Sequence, residues 1–461
     1  MLWRTVATRA LLVVALYLVT VGPVRSQRAD LRVDDGEVEF LKKARPTRDL
    51  RTGLFKGSIT AEPNNKEHQE AAEIAAKEVV YPLVWEQDKG LRPEAKETAE
   101  DRQRRLNRLN SLVEEFDSRL VQMTRFTDRT AAMQQMYCKA MMTAAPEVIQ
   151  KGKVIAGVNA ARMLEQITQR RAQRGVLESE KEWVQAVLPR LADGNGDRLV
   201  ETCLTLITDP KANAGVQYYL LRCLGNLLAL PPQNPPLVKA ENQEKAIAAA
   251  TKLIDRAVAF PKATPRQEVE GYKMLRQQAV RVVATARTPV VGKEQPALTL
   301  ARVAGADGSL VPAPRITERL EAAVGLARLM NASAKFPDFQ PDYAAAQIAR
   351  FIVDLGLQAN PNLDSKPMAR VQPWRIAAAR MIEALDALQA SVKVPYVQDV
   401  VKQAIPVLNS LEQNQPSQTN DLADWLSRNP PPSASLFKSN PASVIKPAAP
   451  PPAAPAEDKG T

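Results

Sequence analysis

The 461-residue chain has one histidine, three cysteines and aromatics at only 5% of positions. A single His excludes metal centres built from several histidines and leaves few catalytic arrangements that need an imidazole. Three cysteines are too few, and odd in number, for a disulfide scaffold. No run beyond the first 26 residues approaches 18 uninterrupted apolar residues, so a membrane span is not expected there. What the chain does have is ordinary globular material, 45% hydrophobic and 25% charged, with 35 prolines and a net charge of +11. That length suits two or three domains or one long array.

Residues 1–26 read as a secretory signal peptide. Arg4 and Arg9 precede the apolar run Ala10 to Val21, then come Gly22-Pro23 and Val24-Arg25-Ser26, with small residues placed for cleavage after Ser26. Twelve apolar residues rise only about 18 Å as a helix, short of a ~30 Å hydrocarbon core, which disfavours anchoring by residues 10–21. An exported protein of the periplasm or cell envelope is expected. Without the signal the basic excess concentrates in residues 146–415, where 34 Lys plus Arg face 26 Asp plus Glu.

Residues 27–65 mix charges of both signs with Gly36, Pro46, Gly53, Gly57 and Pro63 and show no sustained period, which predicts an extended lead-in. From Lys66 helical signals dominate, and residues 66–149 form an N-terminal helical region. Leu106, Leu109, Val113, Phe116, Leu120 and Met123 recur at alternating steps of three and four, a seam about two and a half heptads long. That is short for a coiled coil and predicts an intramolecular helical hairpin. Arg102, Arg104, Arg105 and Arg108 interleave with Glu97, Glu100 and Asp101, the pattern of a solvated face.

From about residue 150 one frame recurs. Ala156 to Leu164, Val216 to Leu224, Leu275 to Val283 and Trp374 to Ile382 align, and Ile316 to Val324 is a looser fifth copy. Their starts lie 60, 59, 41 and 58 residues apart. Leu206-Ile207-Thr208-Asp209-Pro210, followed by Val216 and then Leu224-Gly225, resembles the Asp-Pro turn and Leu-Gly of HEAT repeats. Two extra turn residues and Tyr218-Tyr219 depart from that pattern, as do Ala284 and Glu383 where the Gly would fall. The resemblance covers residues 150–410 and implies a fold; it implies no particular activity.

The expected fold is therefore all-α: a right-handed α-solenoid of HEAT-like helical pairs over residues 150–415, preceded by an N-terminal helical hairpin. An amphipathic pair cannot bury its apolar stripe alone, and stacking supplies the missing surface. Ala297 to Val303 and Leu310-Val311 flank the turn signal Gly305-Ala306-Asp307-Gly308, which predicts a small β-hairpin insertion at 297–312. The pattern fades after Ser410, and residues 416–461, with nine Pro after Asn429, are expected to be a disordered Pro/Ala-rich tail.

Candidate chemistry is sparse. Asp193-Gly-Asn195-Gly-Asp197 opens like a calcium loop but puts Arg198 at the Gly position and Leu204 at the bidentate Glu position, so an interhelical loop is the better reading. His68, among Glu67, Gln69 and Glu70, is expected on the surface, and Asp34-Asp35 and Glu114-Glu115 need only solvation. Cys203 and Cys223 fall on neighbouring helices across the Asp209-Pro210 turn; a disulfide between them would suit an oxidising compartment, and two free buried thiols are the alternative.

Four of the five copies carry arginine at step six: Arg162, Arg222, Arg281 and Arg380. At 100° per residue that step lies near 240°, whereas the apolar steps zero, four, eight and eleven lie between about 0° and 80°. These arginines are the candidate binding residues. The expected function is a non-enzymatic scaffold engaging a protein or a polyanionic envelope polymer through a basic concave face, with no cofactor, no metal and no nucleic acid. The alternative is an accessory component of an envelope enzyme system, or an enzyme built on carboxylates.

Overall fold

The structure, a computed structural model, describes residues 40, 44–89, 98–125, 127–173, 176–261, 263–360 and 372–446. The signal segment 1–26 and most of the lead-in up to residue 43 lie outside these residues, as do 447–461.

Among the described residues the fold is all-α apart from a two-residue antiparallel pairing of Ala172–Gln173 with Val176–Leu177 and three isolated bridges. The helices are α1 (Arg48–Lys56), α2 (Lys66–Val80), α3 (Pro82–Lys89), α4 (Ala99–Thr124), α5 (Thr127–Lys151), α6 (Val154–Thr168), α7 (Glu180–Leu191), α8 (Asn195–Ile207), α9 (Ala214–Ala229), α10 (Ala240–Asp255), α11 (Arg266–Val283), α12 (Pro296–Ala304), α13 (Ile316–Met330), α14 (Pro341–Ala359), α15 (Pro373–Ser391), α16 (Pro395–Glu412) and α17 (Thr419–Arg428).

Local chemistry sets many of these boundaries. Asn65 caps α2 by accepting the N–H groups of Glu67 and His68, and Thr98 with Asp101 and Ser179 with Glu182 form reciprocal capping boxes on α4 and α7. Four prolines stand at the first turn of α12, α14, α15 and α16, where a missing N–H costs no hydrogen bond. Gly57 ends α1 in the left-handed region, φ 69°, returning its N–H to the last turn.

The contacts divide the chain into two compact units. The first holds residues up to Ala249 together with 265–278; the second holds 250–264 and 279 onward, so α10 and α11 each cross the division. In the first unit α2 packs on α5, and α6 lies against α5, α4 and α9. The predicted seam of α4 is buried from Leu109 to Met123. In the second, α12, α13 and α14 pack together, and α16 packs on α14 and α15. Alanine permits the close approach: Ala156, Ala160 and Ala161 on α6 and Ala344, Ala345 and Ala346 on α14 are all buried. A Cβ on Gly325 would stand 2.6 Å from the Ala284 Cβ, so α13 sits on residue 284 only because it has none there.

All five frame copies fall on helices, α6, α9, α11, α13 and α15, and their apolar steps point inward. The fit weakens in α15, where Trp374 and Ile382 are half-buried.

Three expectations are corrected. Residues 297–312 contain no β-hairpin. Pro296 opens the helix α12, which buries Leu300, Ala301 and Val303. Residues 44–65 are not an extended lead-in, because α1 buries Leu54 and Phe55. The presumed tail is also built into the fold as far as residue 446. Leu436, Phe437 and Ile445 are buried, Phe437 stacks on Phe339 at 5.8 Å, and the Ile445 N–H donates to the Tyr343 hydroxyl at 2.7 Å. These few apolar anchors offset ordering entropy that the Pro-rich composition alone does not offset.

Candidate functional site

The four frame arginines are gathered in pairs around two buried glutamates, one in each unit. On α6, Glu165 is 3% exposed and carries the one carboxylate of that helix. Arg222 of α9 reaches it, Nη2 to Oε1 at 2.9 Å, but at an angle that leaves Oε1 without a well-formed hydrogen bond. Arg162, one turn before Glu165, adds its field and donates to Asn110 at 3.3 Å. Burial dominates, and the Glu165 carboxyl is pushed above its ordinary range despite the two cations. Arg222 also lies over the Tyr218 ring at 5.8 Å.

On α13, Glu321 receives two full forks. Arg281 donates Nε and Nη2 to Oε1 at 3.0 and 2.7 Å, and Arg380 donates Nη1 to Oε1 and Nη2 to Oε2 at 3.0 and 2.9 Å. Burial works against the ionised form here too, but these bonds overcome it and hold the Glu321 carboxyl down to about 2. Glu321 comes from the looser copy, the one with Ala322 where the others have arginine. The arginines do leave the apolar stripe as their step predicts: the side chains of Arg222, Arg281 and Arg380 are 33%, 46% and 38% exposed. Their first task in the structure is to neutralise buried acids.

A second basic feature lies among the N-terminal helices. An open cleft of about 460 Å³ is lined by Ala44, Arg45, Arg48, Arg51, Thr52, Phe55, Lys56, Glu78, Arg119 and Gln122. Five cations thus face one lining carboxylate. Arg51 is buried, pairs with Glu78, and donates Nη2 to the Ala44 carbonyl at 2.7 Å. Arg119 donates to the Ala75 carbonyl at 3.0 Å, to Glu78 at 3.4 Å and to Glu115 at 2.6 Å, and rests over Phe55 at 5.5 Å. These two guanidinium groups are fixed. Arg45, Arg48 and Lys56 are exposed at the rim, with no carboxylate paired to them among the described residues. Sequence reasoning missed this cleft because its cations come from α1, its entry segment and α4.

Cys203 and Cys223 are free thiols, both buried, and no disulfide joins them. The helices α8 and α9 do bring them near each other: the neighbouring Cys223 thiol and burial raise the Cys203 thiol pKa well above the ordinary value. Cys223 donates to the Leu164 carbonyl at 3.4 Å. Cys138 is likewise enclosed, its thiol pushed up to about 12 by burial. His68 departs from expectation: it is buried, and its Nδ1 accepts the Glu62 N–H at 3.0 Å, so it fastens the chain ahead of α2. Asp197 lies in the first turn of α8 and accepts from the Lys239 N–H and from Asn242, both at 2.8 Å. Among the described residues no three of His, Cys, Asp and Glu converge as metal ligands, and no helix is long and apolar enough to cross a membrane.

Comparison of the chain with protein-family models, with curated proteins and with solved structures finds no match.

Proposed function

We propose that this chain is an exported, non-enzymatic scaffold, an α-solenoid of HEAT-like helical pairs that holds an anionic macromolecular partner. The observation that carries the reading is the cleft beside α1, where five cations face one carboxylate. Such a lining attracts and orients an anion. Among the described residues the lining holds one carboxylate, Glu78, and Arg51 and Arg119 engage it. Glu165, the buried carboxyl with a raised pKa, is closed in by Arg222 and does not line the cleft. The frame arginines serve the scaffold by fixing neighbouring helices through shared buried acids, and their exposed edges add to the basic surface. The signal-like residues 1–26 support export.

The test uses defined polymers. Full-length protein is run over immobilised polyglutamate and immobilised heparin, with wild type compared with Arg45→Glu/Arg48→Glu/Lys56→Glu. A matched control makes the same charge change at Arg102, Arg104 and Arg108 on the exposed face of α4. Retention on at least one polymer that falls in the cleft variant and persists in the control supports the reading. Equal loss in both variants reduces the interaction to net charge and overturns it.

A further inference from the structure

The cleft beside α1 carries more than a sign of charge, and we infer that it is a binding site for a phosphoryl group. The inference rests on the proposed anion-binding role and adds the chemical class of the ligand. Three observations lead to it. First, the charge on the lining is large for its size: Arg45, Arg48, Arg51, Lys56 and Arg119 against Glu78 in the lining and Glu115, which pairs with Arg119 at 2.6 Å, around about 460 Å³. Arg48 and Arg51 are three residues apart on one short helix, a spacing at which like charges repel, and Lys56 lies two turns beyond Arg48 on the same helix. A multiply charged anion among them converts that repulsion into attraction, and a phosphate ester, close to doubly charged at neutral pH, does so better than a single carboxylate.

Second, the donors suit a tetrahedral oxyanion. Four of the five cations are guanidinium groups: Arg51 and Arg119, whose donors are engaged by Glu78, Glu115 and backbone carbonyls, contribute charge, and Arg45 and Arg48 at the rim offer planar forks that match phosphate oxygens two at a time. Third, the floor is preorganised. Glu78 holds Arg51 and Arg119 side by side, the Ala44 and Ala75 carbonyls fix their other edges, and Phe55 supports Arg119 from below. Ordering those two side chains is part of folding, so a ligand need only order the rim. Thr52 and Gln122 add uncharged polar groups, and the cleft exceeds the size of a lone phosphate, so an organic phosphate fits the space.

The test is calorimetric titration of the full-length protein with inorganic phosphate, glycerol phosphate and acetate at fixed ionic strength. Phosphate and glycerol phosphate are expected to bind, with acetate at least about tenfold weaker. Arg48→Gln/Lys56→Gln should weaken phosphate about tenfold or more, since each lost charge-assisted bond is worth roughly a decade. Both residues are exposed and pair with no carboxylate among the described residues, so the thermal midpoint should hold or rise slightly, separating lost binding from lost fold. Phosphatidylcholine vesicles with and without phosphatidic acid separate the sources: sedimentation with phosphatidic acid, competed by phosphate, assigns a lipid headgroup. No sedimentation alongside glycerol phosphate binding assigns a soluble ester.

A silent phosphate titration, an unchanged affinity in the double variant, or acetate binding as tightly as phosphate would each overturn the inference. If polyglutamate retention still depends on Arg45, Arg48 and Lys56 while phosphate is silent, the site serves acidic peptide and the scaffold reading stands. If neither depends on them, both fall.

Discussion

The two arginine-glutamate clusters set step-six arginines around a glutamate that stands at step nine of its copy in Glu165 and at step five in Glu321, and they reach opposite electrostatic outcomes. Glu165 in the first unit is nearly inaccessible and meets Arg222 in a close but poorly aligned contact, so desolvation wins and its carboxyl pKa rises. Glu321 in the second is almost as buried but accepts four aligned N–H bonds from two guanidinium groups, so the bonds win and its carboxyl falls to about 2. Burial sets the size of the cost, and alignment decides whether it is recovered. Guanidinium count alone does not settle the outcome, because each glutamate has two arginines in its field.

The largest expected effect follows from removing the cation that Glu165 can least spare. Arg222→Met leaves a buried carboxylate with only the field of Arg162, and should destabilise the protein by about 2–4 kcal/mol at pH 7 in urea unfolding. The same substitution in a Glu165→Gln background should cost much less. An equal cost in both backgrounds would assign the loss to packing on Tyr218 and not to charge. By contrast Arg281→Met and Arg380→Met each leave Glu321 one complete fork, so either alone should cost about 1 kcal/mol, and the double variant more than the sum. Strict additivity would mean that the two forks do not share the acid.

How much of this was legible in the sequence depends on the distance over which the physics acts. The helices and their buried faces were readable because steps zero, four, eight and eleven repeat within each copy, a local signal. The pairing was not: Glu321 meets Arg380 across 59 residues and Arg281 across 40. Glu165, the one acid of α6, was the one available hint. Residues 297–303 misled because a nine-residue apolar helix and a buried strand look alike in periodicity, and Pro296 at the first turn was the deciding residue. The stretch 429–446 misled because composition averages over Leu436, Phe437 and Ile445, which fix it in place. The cleft was hidden by Pro46, Gly53 and Gly57, whose turn-like character masked α1, and by Arg119 arriving from 63 residues beyond Lys56.

A pH series separates the clusters by sign. Glu321 has a depressed carboxyl, so in the range between its unfolded value near 4.5 and about 2 the unfolded chain binds more protons. Its stabilisation is fully present above that range and is lost as pH falls through it. Glu165 has a raised carboxyl, so the folded chain binds the extra proton, and its contribution weakens as pH rises above about 4.5 toward its folded value. Glu321→Gln should therefore flatten the acid limb of a urea-midpoint profile, whereas Glu165→Gln should remove a decline on the higher-pH side. Matching changes in the two variants would contradict the opposed environments.

The smallest effect is expected at Arg162, which shares the frame position of Arg222 and sits one turn from Glu165. Among the described residues its one side-chain bond is to Asn110 at 3.3 Å, a neutral acceptor, and it makes no close ion pair with Glu165. Its field acts over a longer path, which lowers the Glu165 carboxyl less than Arg222 does. Arg162→Gln should therefore cost no more than about 0.5 kcal/mol at pH 7, and that cost should shrink with added salt because the residue is partly exposed. In Arg222→Met protein the same change should cost more, since Arg162 is then the remaining cation near a buried charge. A single-variant loss as large as that of Arg222→Met would mean that the frame position, and not the alignment of each guanidinium with its acid, determines what these arginines do.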